Sequence, residues 1–219
     1  SIRGKTINTI ENDIKAIKKW LRIASNSGIN LKIKLDNIKV DRTPSTREYL
    51  SKDELKKVYD YYFSDFCKPS YKLTVGYFLF ACFSSLRISD VRKVNRSDFE
   101  QSSYKFKITK TNKNHFIYLN DTTMKIVDHY GPLFVEWKAE TNIHEDLKEV
   151  MFFLGIRKHI TFHCGRHTFA TNYLRMVGKV EVLQKILGHS NIQETMIYSH
   201  IVEQEKEESI FIMDKIFEE

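Results

Sequence analysis

Apolar positions along the chain recur mostly at helical spacing. Over residues 6–25, isoleucine, leucine and alanine stand three or four residues apart among lysines, which predicts an amphipathic helix. Ser51 lies three residues before Glu54, as in a capping box, and predicts the start of a helix that runs to about Ser64. A nearly continuous apolar run over 71–86 predicts a buried helix at the centre of the core.

The period of the apolar pattern changes to two further along the chain. Tyr104, Phe106 and Ile108 alternate with other residues, as do Phe116 and Tyr118, and the polar segment between them is typical of a turn, so a β-hairpin is predicted. Further helices are predicted at 121–140, 144–154, 163–176, 179–187 and 191–200, with a shorter helical piece at 90–95. The pattern therefore predicts a mainly α domain with a small antiparallel β-sheet, an α+β fold.

Composition narrows the class of protein. The chain has 219 residues, and its three cysteines are too few for a disulfide scaffold and fit a reducing compartment. No apolar run approaches the length of a membrane span, so we expect a cytoplasmic protein without a membrane partner. The formal net charge of +7 is uneven: it is +6 over 1–48, +6 over 49–200 and −5 over 201–219. This charge leaves two interpretations open, a nucleic-acid partner or a soluble basic protein.

Side chains suited to phosphoryl transfer lie in four short segments. Arg87 directly follows the apolar helix, where a cation is costly without an anionic partner. His163 and Arg166 are three residues apart and share a helical face. The remaining candidates are Lys110 at the hairpin turn, His189 in a later turn and Tyr198 nine residues beyond it.

The chemistry of this set favours one reaction type. Two arginines hold a phosphate and stabilise charge that develops on it. Histidine and lysine move protons, and tyrosine serves as a covalent nucleophile. The sequence offers no carboxylate cluster of the kind that binds Mg²⁺. We therefore expect metal-free phosphoryl transfer through a phosphotyrosine.

The motifs resemble those of a known family. LRISDV, the Lys110 hairpin, HCGRHTFAT, LGHSN and the later Tyr198 occur in the order and spacing of the tyrosine recombinase (phage integrase) family, over about residues 49–202. Some details are similar to integrases of mobile elements in the Bacteroides group. The resemblance implies the catalytic core of DNA breaking-rejoining enzymes and a site-specific recombinase that serves DNA integration.

The resemblance also implies how each side chain acts. Arg87 and Arg166 clamp the scissile phosphate, and Tyr198 attacks it to give a 3′-phosphotyrosyl link and a free 5′-hydroxyl. Lys110 is the implied general acid for that leaving oxygen. The competing lysine, Lys113, fits the family spacing less well.

Three further positions match the family. His163 is implied as the base or orienter of the nucleophile, and His189 as a hydrogen-bond donor to a non-bridging oxygen. Asp90 matches the family's acidic position, whereas Ser85 stands where glycine is commoner. His167 is interpreted as structural or as a support for the residues that would contact the phosphate. The family needs neither cofactor nor metal, although His159, His163, Cys164 and His167 leave zinc as a disfavoured alternative.

The resemblance divides the chain. Residues 1–40 match the end of a core-binding (SAM-like) domain, 41–48 a linker and 49–202 the catalytic domain. An apolar stripe within 203–219 predicts a C-terminal helix that docks in trans.

The resemblance also implies binding partners. These are double-stranded DNA with att-like sites, three further copies in a homotetramer on DNA, and accessory DNA-bending or directionality proteins. The free protein is expected to be a monomer. The rival functions are type IB topoisomerase-like relaxation and a catalytically inactive DNA-binding module.

Overall fold

The computed structural model describes residues 7–38, 47–100, 103–109 and 114–198, apart from the side chains of Asp36, Glu100, Ser103 and Lys105. The chain divides into two compact units, Ser1–Thr46 and Arg47–Glu219. None of the helices in the described ranges has the length and apolar character that a membrane crossing requires.

The first unit is built around one helix. Helix α1 spans Ile7–Asn26, which confirms the predicted amphipathic helix, and a 3-10 turn follows at Leu35–Asn37. Within the described residues α1 buries none of its side chains, and Trp20 is 67% exposed. Its assignment to a core-binding domain stays a prediction.

The second unit is organised around a central apolar helix. Helix α2 spans Lys52–Phe63, and the capping box predicted at Ser51 and Glu54 is present, with each backbone N–H bonded to the other side chain. Helix α3 spans Pro69–Ser84, is buried on almost every side and packs against α2. The proline at its start lacks an N–H that the first turn would leave unpaired. The predicted central helix is therefore confirmed.

A short connection leads from α3 to the hairpin. Helix α4 spans Ile88–Val91 and a 3-10 turn spans Arg96–Glu100. Strands β1 (Ser103–Lys107) and β2 (Asn114–Tyr118) pair antiparallel. Phe106, Ile108 and Ile117 are buried, whereas Phe116 and Tyr118 are exposed on the opposite face of the hairpin.

The predicted helix over 121–140 is wrong. Helix α5 spans Asp121–His129, and an irregular turn follows it. Pro132 lacks the N–H that a continuing helix needs, and Phe134 has a left-handed backbone (φ 67°). The buried Tyr77 hydroxyl holds this turn, since it accepts from the Phe134 N–H at 2.8 Å.

Helix α6 spans Glu140–Phe153, so it begins earlier than predicted. The C-terminal helices are α7 (Phe162–Val177), α8 (Val180–Leu187) and the short α9 (Gln193–Met196). Helices α3, α5, α6 and α7 pack together over the main core, and α7 also packs against α8. The predicted α+β class, mainly helical with one small antiparallel sheet, is confirmed.

Buried apolar side chains form two clusters. The main core surrounds α3 and takes in α2, the hairpin, α5 and α6. A smaller cluster lies between α7, α8 and the last described residue, and its buried members are Ala170, Leu174, Leu183, Leu187 and Tyr198. The candidate nucleophile therefore belongs to the smaller cluster.

Candidate active site

The C-terminal end of α3 sets the backbone on which the first arginine lies. Ser85 caps this helix in a left-handed conformation (φ 63°), which is costly for a residue other than glycine. Its buried hydroxyl oxygen has no hydrogen-bond partner among the described residues. The chain then turns into α4, and Arg87 is the N-cap of that helix with a half-buried side chain.

Close packing of α3 against α7 brings a second arginine, Arg166, to the C-terminal end of α3. A Cβ on Gly165 would lie 3.2 Å from the Ala81 Cβ and 3.3 Å from the Phe78 carbonyl oxygen, so only glycine fits without a shift. The neighbouring Arg166 is 4% exposed, and its Nη1 donates to the Ser85 carbonyl at 3.0 Å. Its Nη2 donates to the Leu187 carbonyl at 2.6 Å.

The positive charges of Arg87 and Arg166 favour the binding of an anion. Burial and then the charge of Arg87 lower the pKa of Arg166 to about 10. The guanidinium remains charged at neutral pH, so two cations lie close together with limited access to water. A phosphate at this position would relieve both costs, because arginine binds phosphate through charge-assisted hydrogen bonds.

Asp90 connects α4 with the hairpin. Its carboxylate is 1% exposed and accepts from the Thr109 N–H at 2.8 Å and from the Thr109 hydroxyl at 2.6 Å. Thr109 immediately precedes Lys110, and Lys110 itself lies outside the described residues. The acidic position singled out in the sequence therefore fixes the chain one residue before the candidate general acid.

The first two turns of α7 carry His163 and His167. The Cys164 thiol accepts from the backbone N–H of Thr161 and helps to cap this helix. His163 is exposed, and its ring meets the ring of His167 edge-on with 4.5 Å between centroids. Within the described residues no group of histidine, cysteine and carboxylate side chains could hold a metal ion.

Tyr198 lies against His167 rather than in solvent. The tyrosine is 4% exposed, and its hydroxyl lies 2.5 Å from the His167 Nδ1. Burial raises the pKa of Tyr198, while the charges of Arg166, Arg47 and Arg87 lower it, and Arg47 also hydrogen-bonds to it. The three cations therefore favour the phenolate that a nucleophilic attack needs.

His167 lies among the candidate groups. Burial, followed by His163 and the nearby cations Arg47 and Arg166, lowers its pKa to about 3. The ring is therefore neutral at physiological pH and holds the tyrosine hydroxyl in place rather than acting as a strong base. His189 also lowers this pKa, so it too lies within electrostatic range.

The turn after α8 orients His189. Gly188 ends the helix in a left-handed conformation (φ 62°). The His189 Nδ1 lies 2.8 Å from the Thr195 hydroxyl, and its carbonyl accepts from Gln184 at 3.2 Å. The first contact orients the ring toward α9, and the second holds the backbone of the turn against α8.

The structure thus brings most of the sequence-predicted residues together. His163 and Tyr198 contact His167, and the charges of Arg166 and His189 act on it. Arg87 acts electrostatically on Arg166 and on Tyr198. Asp90 supports the site from below the hairpin, and Lys110 remains a prediction outside the described residues.

Two functional candidates were missed by the sequence reasoning. His167, which the sequence indicates only as a structural or supporting residue, contacts the tyrosine hydroxyl directly. Its position four residues after His163, on the same helical face, was the available signal. Arg47 comes from the start of the second unit and carries no motif, so no local signal marks it.

The fold and the site together define a helical domain that sets a buried tyrosine against paired arginines. The sequence profile of the phage integrase family matches residues 48–205, most of the chain. This chain therefore belongs to the phage integrase family.

Individual relatives agree with this assignment. A tyrosine recombinase of Pseudothermotoga lettingae is 30% identical over 141 residues, which cover 58% of this chain and 49% of the relative. The tyrosine recombinase XerD of Rickettsia bellii is 24% identical over 230 residues, covering 92% of this chain and 74% of the relative. The chain spans about half the length of the first of these relatives.

Solved structures share the fold. The Tn1549 transposon integrase in complex with circular intermediate DNA superposes with a TM-score of 0.67 at 19% identity, over 90% of this chain and 76% of that one. The catalytic domain of bacteriophage HP1 integrase superposes with a TM-score of 0.54 at 22% identity, over 76% of this chain and 95% of that one.

Proposed function

We propose that this chain is the catalytic part of a site-specific DNA recombinase, an integrase that cuts and rejoins double-stranded DNA through a 3′-phosphotyrosyl intermediate. The observation that carries the proposal is the contact between the Tyr198 hydroxyl and His167, within a buried group that includes Arg166. A tyrosine held between a neutral histidine and cations is prepared to attack a phosphodiester.

The reaction balances without an external energy source. The Tyr198 oxygen forms a bond to phosphorus as the bond from phosphorus to the 5′-oxygen breaks. The tyrosine gives up its proton, with His163 as base or orienter and His167 holding the hydroxyl, and Lys110 gives a proton to the leaving oxygen. Arg87 and Arg166 stabilise the charge on the transferring phosphoryl group.

Resealing reverses this step. The 5′-hydroxyl of the partner strand attacks the phosphotyrosine and releases Tyr198, so the energy of the phosphodiester is kept and no ATP or cofactor is required. His189 donates to a non-bridging oxygen in both directions. Its bond to Thr195 fixes the ring for that contact.

Adduct formation tests the proposal. The target site is first selected from a random duplex library, and a nick is then placed beside the cleavage position so that the released 5′ fragment diffuses away. We expect the protein to accumulate as a covalent DNA adduct on denaturing gels. Tyr198→Phe should abolish the adduct and leave DNA affinity unchanged, while Tyr173→Phe, on α7 away from the His167 contact, should retain it. An adduct formed by Tyr198→Phe would refute the assigned nucleophile.

The same protein and its selected DNA site also distinguish the proposed function from its rivals. Exchange of strands between two DNA sites indicates a recombinase, whereas relaxation of one supercoiled plasmid without exchange indicates a type IB topoisomerase-like activity. A protein that binds DNA and never forms an adduct is an inactive binding module. The buried tyrosine–histidine contact favours an active enzyme over the last of these.

The wider assembly is also a proposal. We expect a homotetramer on paired double-stranded DNA sites, a monomer in solution, a cytoplasmic and nucleoid-associated location, and accessory DNA-bending or directionality proteins. The net charge of +7 supports binding to the DNA backbone, so affinity should fall steeply with salt. Origin in a Bacteroides-type mobile element stays a prediction.

The C-terminal docking prediction lies outside the described residues. We propose that 203–219 docks on a neighbouring copy, on the surface around Phe66, Phe152 and Phe153, which are 83%, 87% and 69% exposed. That surface is also lined by four basic residues, Lys68, Lys148, Arg157 and Lys158, and by two acidic ones, Glu145 and Glu149. Its positive charge therefore complements the net −5 of residues 201–219.

Two changes test the docking proposal. Deleting the segment or changing Phe152 to Ser should abolish synapsis of two sites. If neither change affects synapsis or cleavage, the docking proposal is wrong.

A further inference from the structure

Two parts of the site meet at the C-terminal end of α8. The last carbonyls of a helix lack partners within the helix. Here the Leu187 carbonyl accepts from Arg166, and the Ile186 carbonyl lies 2.9 Å from the His115 Nε2. Adjacent carbonyls therefore connect this helix end to a phosphate-binding arginine on one side and to the hairpin on the other.

The hairpin also packs tightly on the backbone just beyond this helix end. A Cβ on Gly188 would lie 2.4 Å from the Ile108 Cδ1 and 3.3 Å from the His115 Nδ1 and Cε1. A side chain at this position would therefore force the Ile108 side chain to shift and would crowd the His115 ring. Because Gly188 directly precedes His189, the hairpin rests against the turn that orients a candidate catalytic histidine.

His115 suits this junction in its chemistry and surroundings. It lies on β2 opposite Phe106, whose ring it meets edge-on at 5.5 Å. Burial lowers its pKa, and the charges of Arg166 and Arg87 lower it further. The ring is therefore neutral, and the tautomer with its proton on Nε2 donates to the Ile186 carbonyl.

We propose that His115 is a positioning residue that fixes the hairpin, whose two strands flank Lys110 in the sequence, against the end of α8 that holds Arg166 and His189. This inference rests on the proposed function, because it assigns Lys110 the general-acid role given above. The hairpin then has two attachments to the site, Asp90 at the Thr109 end of β1 and His115 on β2. Neither residue needs to contact the DNA to affect the rate.

A matched pair of amides tests the bond. The Nε2 of a glutamine in His115→Gln reaches about as far as the histidine Nε2, so this variant retains the donor to Ile186. His115→Asn is one methylene shorter and loses it, while polarity is kept. We expect His115→Asn to cleave the selected nicked duplex more slowly by on the order of 100-fold, the effect of a small misplacement of a catalytic group. His115→Gln should remain close to the parent protein, and DNA affinity should be unchanged in both.

A sulfur-substituted substrate shows through which group His115 acts. When sulfur replaces the bridging 5′-oxygen, the leaving thiolate needs no proton, so a general acid becomes dispensable. Cleavage by His115→Asn should then recover on the sulfur substrate. An equal loss on both substrates, or no loss on either, overturns the inference.

Lys110→Ala is the control that tests the general-acid role of Lys110 separately from the positioning role of His115. If Lys110→Ala recovers on the sulfur substrate and His115→Asn does not, the positioning role is wrong while the general acid stands. If Lys110→Ala does not recover, the assigned acid is wrong. His115→Gln also guards against misfolding, because thermal unfolding of the two amide variants can be compared directly.

Discussion

The two apolar clusters hold different parts of the site. The main core surrounds α3, which ends at Ser85, and Arg87 and Asp90 follow directly from it. The smaller cluster holds Tyr198, the last described residue of the chain. The residues proposed to bind the phosphate therefore lie beside the larger core, and the proposed nucleophile lies in the smaller cluster.

Arg166 connects the two clusters. One of its nitrogens bonds to Ser85 at the end of α3 and another to Leu187 in the smaller cluster. Tyr198, the proposed nucleophile, therefore has a support separate from that of Arg87. Segments with fewer buried contacts open more readily, so we expect Tyr198 to move more easily than the residues beside the main core.

Among the substitutions that test this comparison, a change at Arg166 should have the largest effect, because it removes the proposed phosphate contact together with the connection between the clusters. Arg166→Lys keeps one charge but has no planar fork to reach two carbonyls and a phosphate. We expect adduct formation at saturating DNA to slow by about 10²–10³-fold, as for loss of one preorganised donor. Single-turnover cleavage measures the rate, and DNA affinity and thermal unfolding serve as controls. A rate equal to that of the parent protein would show that the fork is unnecessary.

Two matched leucines compare the clusters directly. Leu147 in the main core and Leu183 in the smaller cluster are both fully buried. Leu147→Ala should lower the free energy of unfolding by about 2–5 kcal/mol, as is typical for a core leucine. Leu183→Ala should leave the main urea transition less affected while amide exchange in α8 and α9 accelerates. Equal losses in a single transition would show that the two clusters unfold together.

The sequence predicted those features that depend on local signals. The capping box at Ser51, the apolar run of α3 and the hairpin alternation are each visible in a short window. The end of α5 was misjudged, since Pro132 and the left-handed Phe134 stop a helix whose apolar period continues. The helix ends there because the backbone of these two residues cannot continue it, although the apolar spacing does continue.

Site contacts between distant segments were harder to predict. The resemblance assigns His163 to the nucleophile, and the structure also places His167, one turn further along α7, 2.5 Å from the Tyr198 hydroxyl. The bond from His115 to Ile186 joins residues 71 positions apart and has no motif. Such contacts follow from tertiary packing, which a single sequence does not display.

Acid should weaken the surroundings of the nucleophile. The folded pKa of His167 is about 3, below its ordinary value of 6.5, so the unfolded chain takes up a proton first as the pH falls. Stability is therefore complete above about pH 6.5 and declines below it, by at most about 1.4 kcal/mol per pH unit from this group. Urea unfolding at pH 7 and pH 5 measures the decline. His167→Asn should flatten it, and an unchanged slope would assign the acid sensitivity to other groups, such as His115 and His129, whose pKa values are also lowered.

The smallest predicted effect concerns Arg47, whose charge and hydrogen bond lower the pKa of Tyr198. Without this cation the phenolate is less favoured, so Arg47→Ala should move the rise of the cleavage rate with pH toward higher pH. Because the arginine is exposed and screened by water, we expect a shift of roughly a few tenths of a pH unit. Arg47→Lys keeps the charge and should shift the profile less.

An alternative role for Arg47 is contact with the DNA backbone, which would lower affinity and reduce its salt dependence without moving the pH profile. Measurement of single-turnover rates at saturating DNA separates the two roles, since a binding defect disappears under saturation. A shifted profile at saturation means that the start of the second unit supplies charge to the nucleophile. An unchanged profile together with a reduced salt dependence assigns Arg47 to the DNA, and the nucleophile then depends on Arg166 and Arg87 alone among the three cations that lower its pKa.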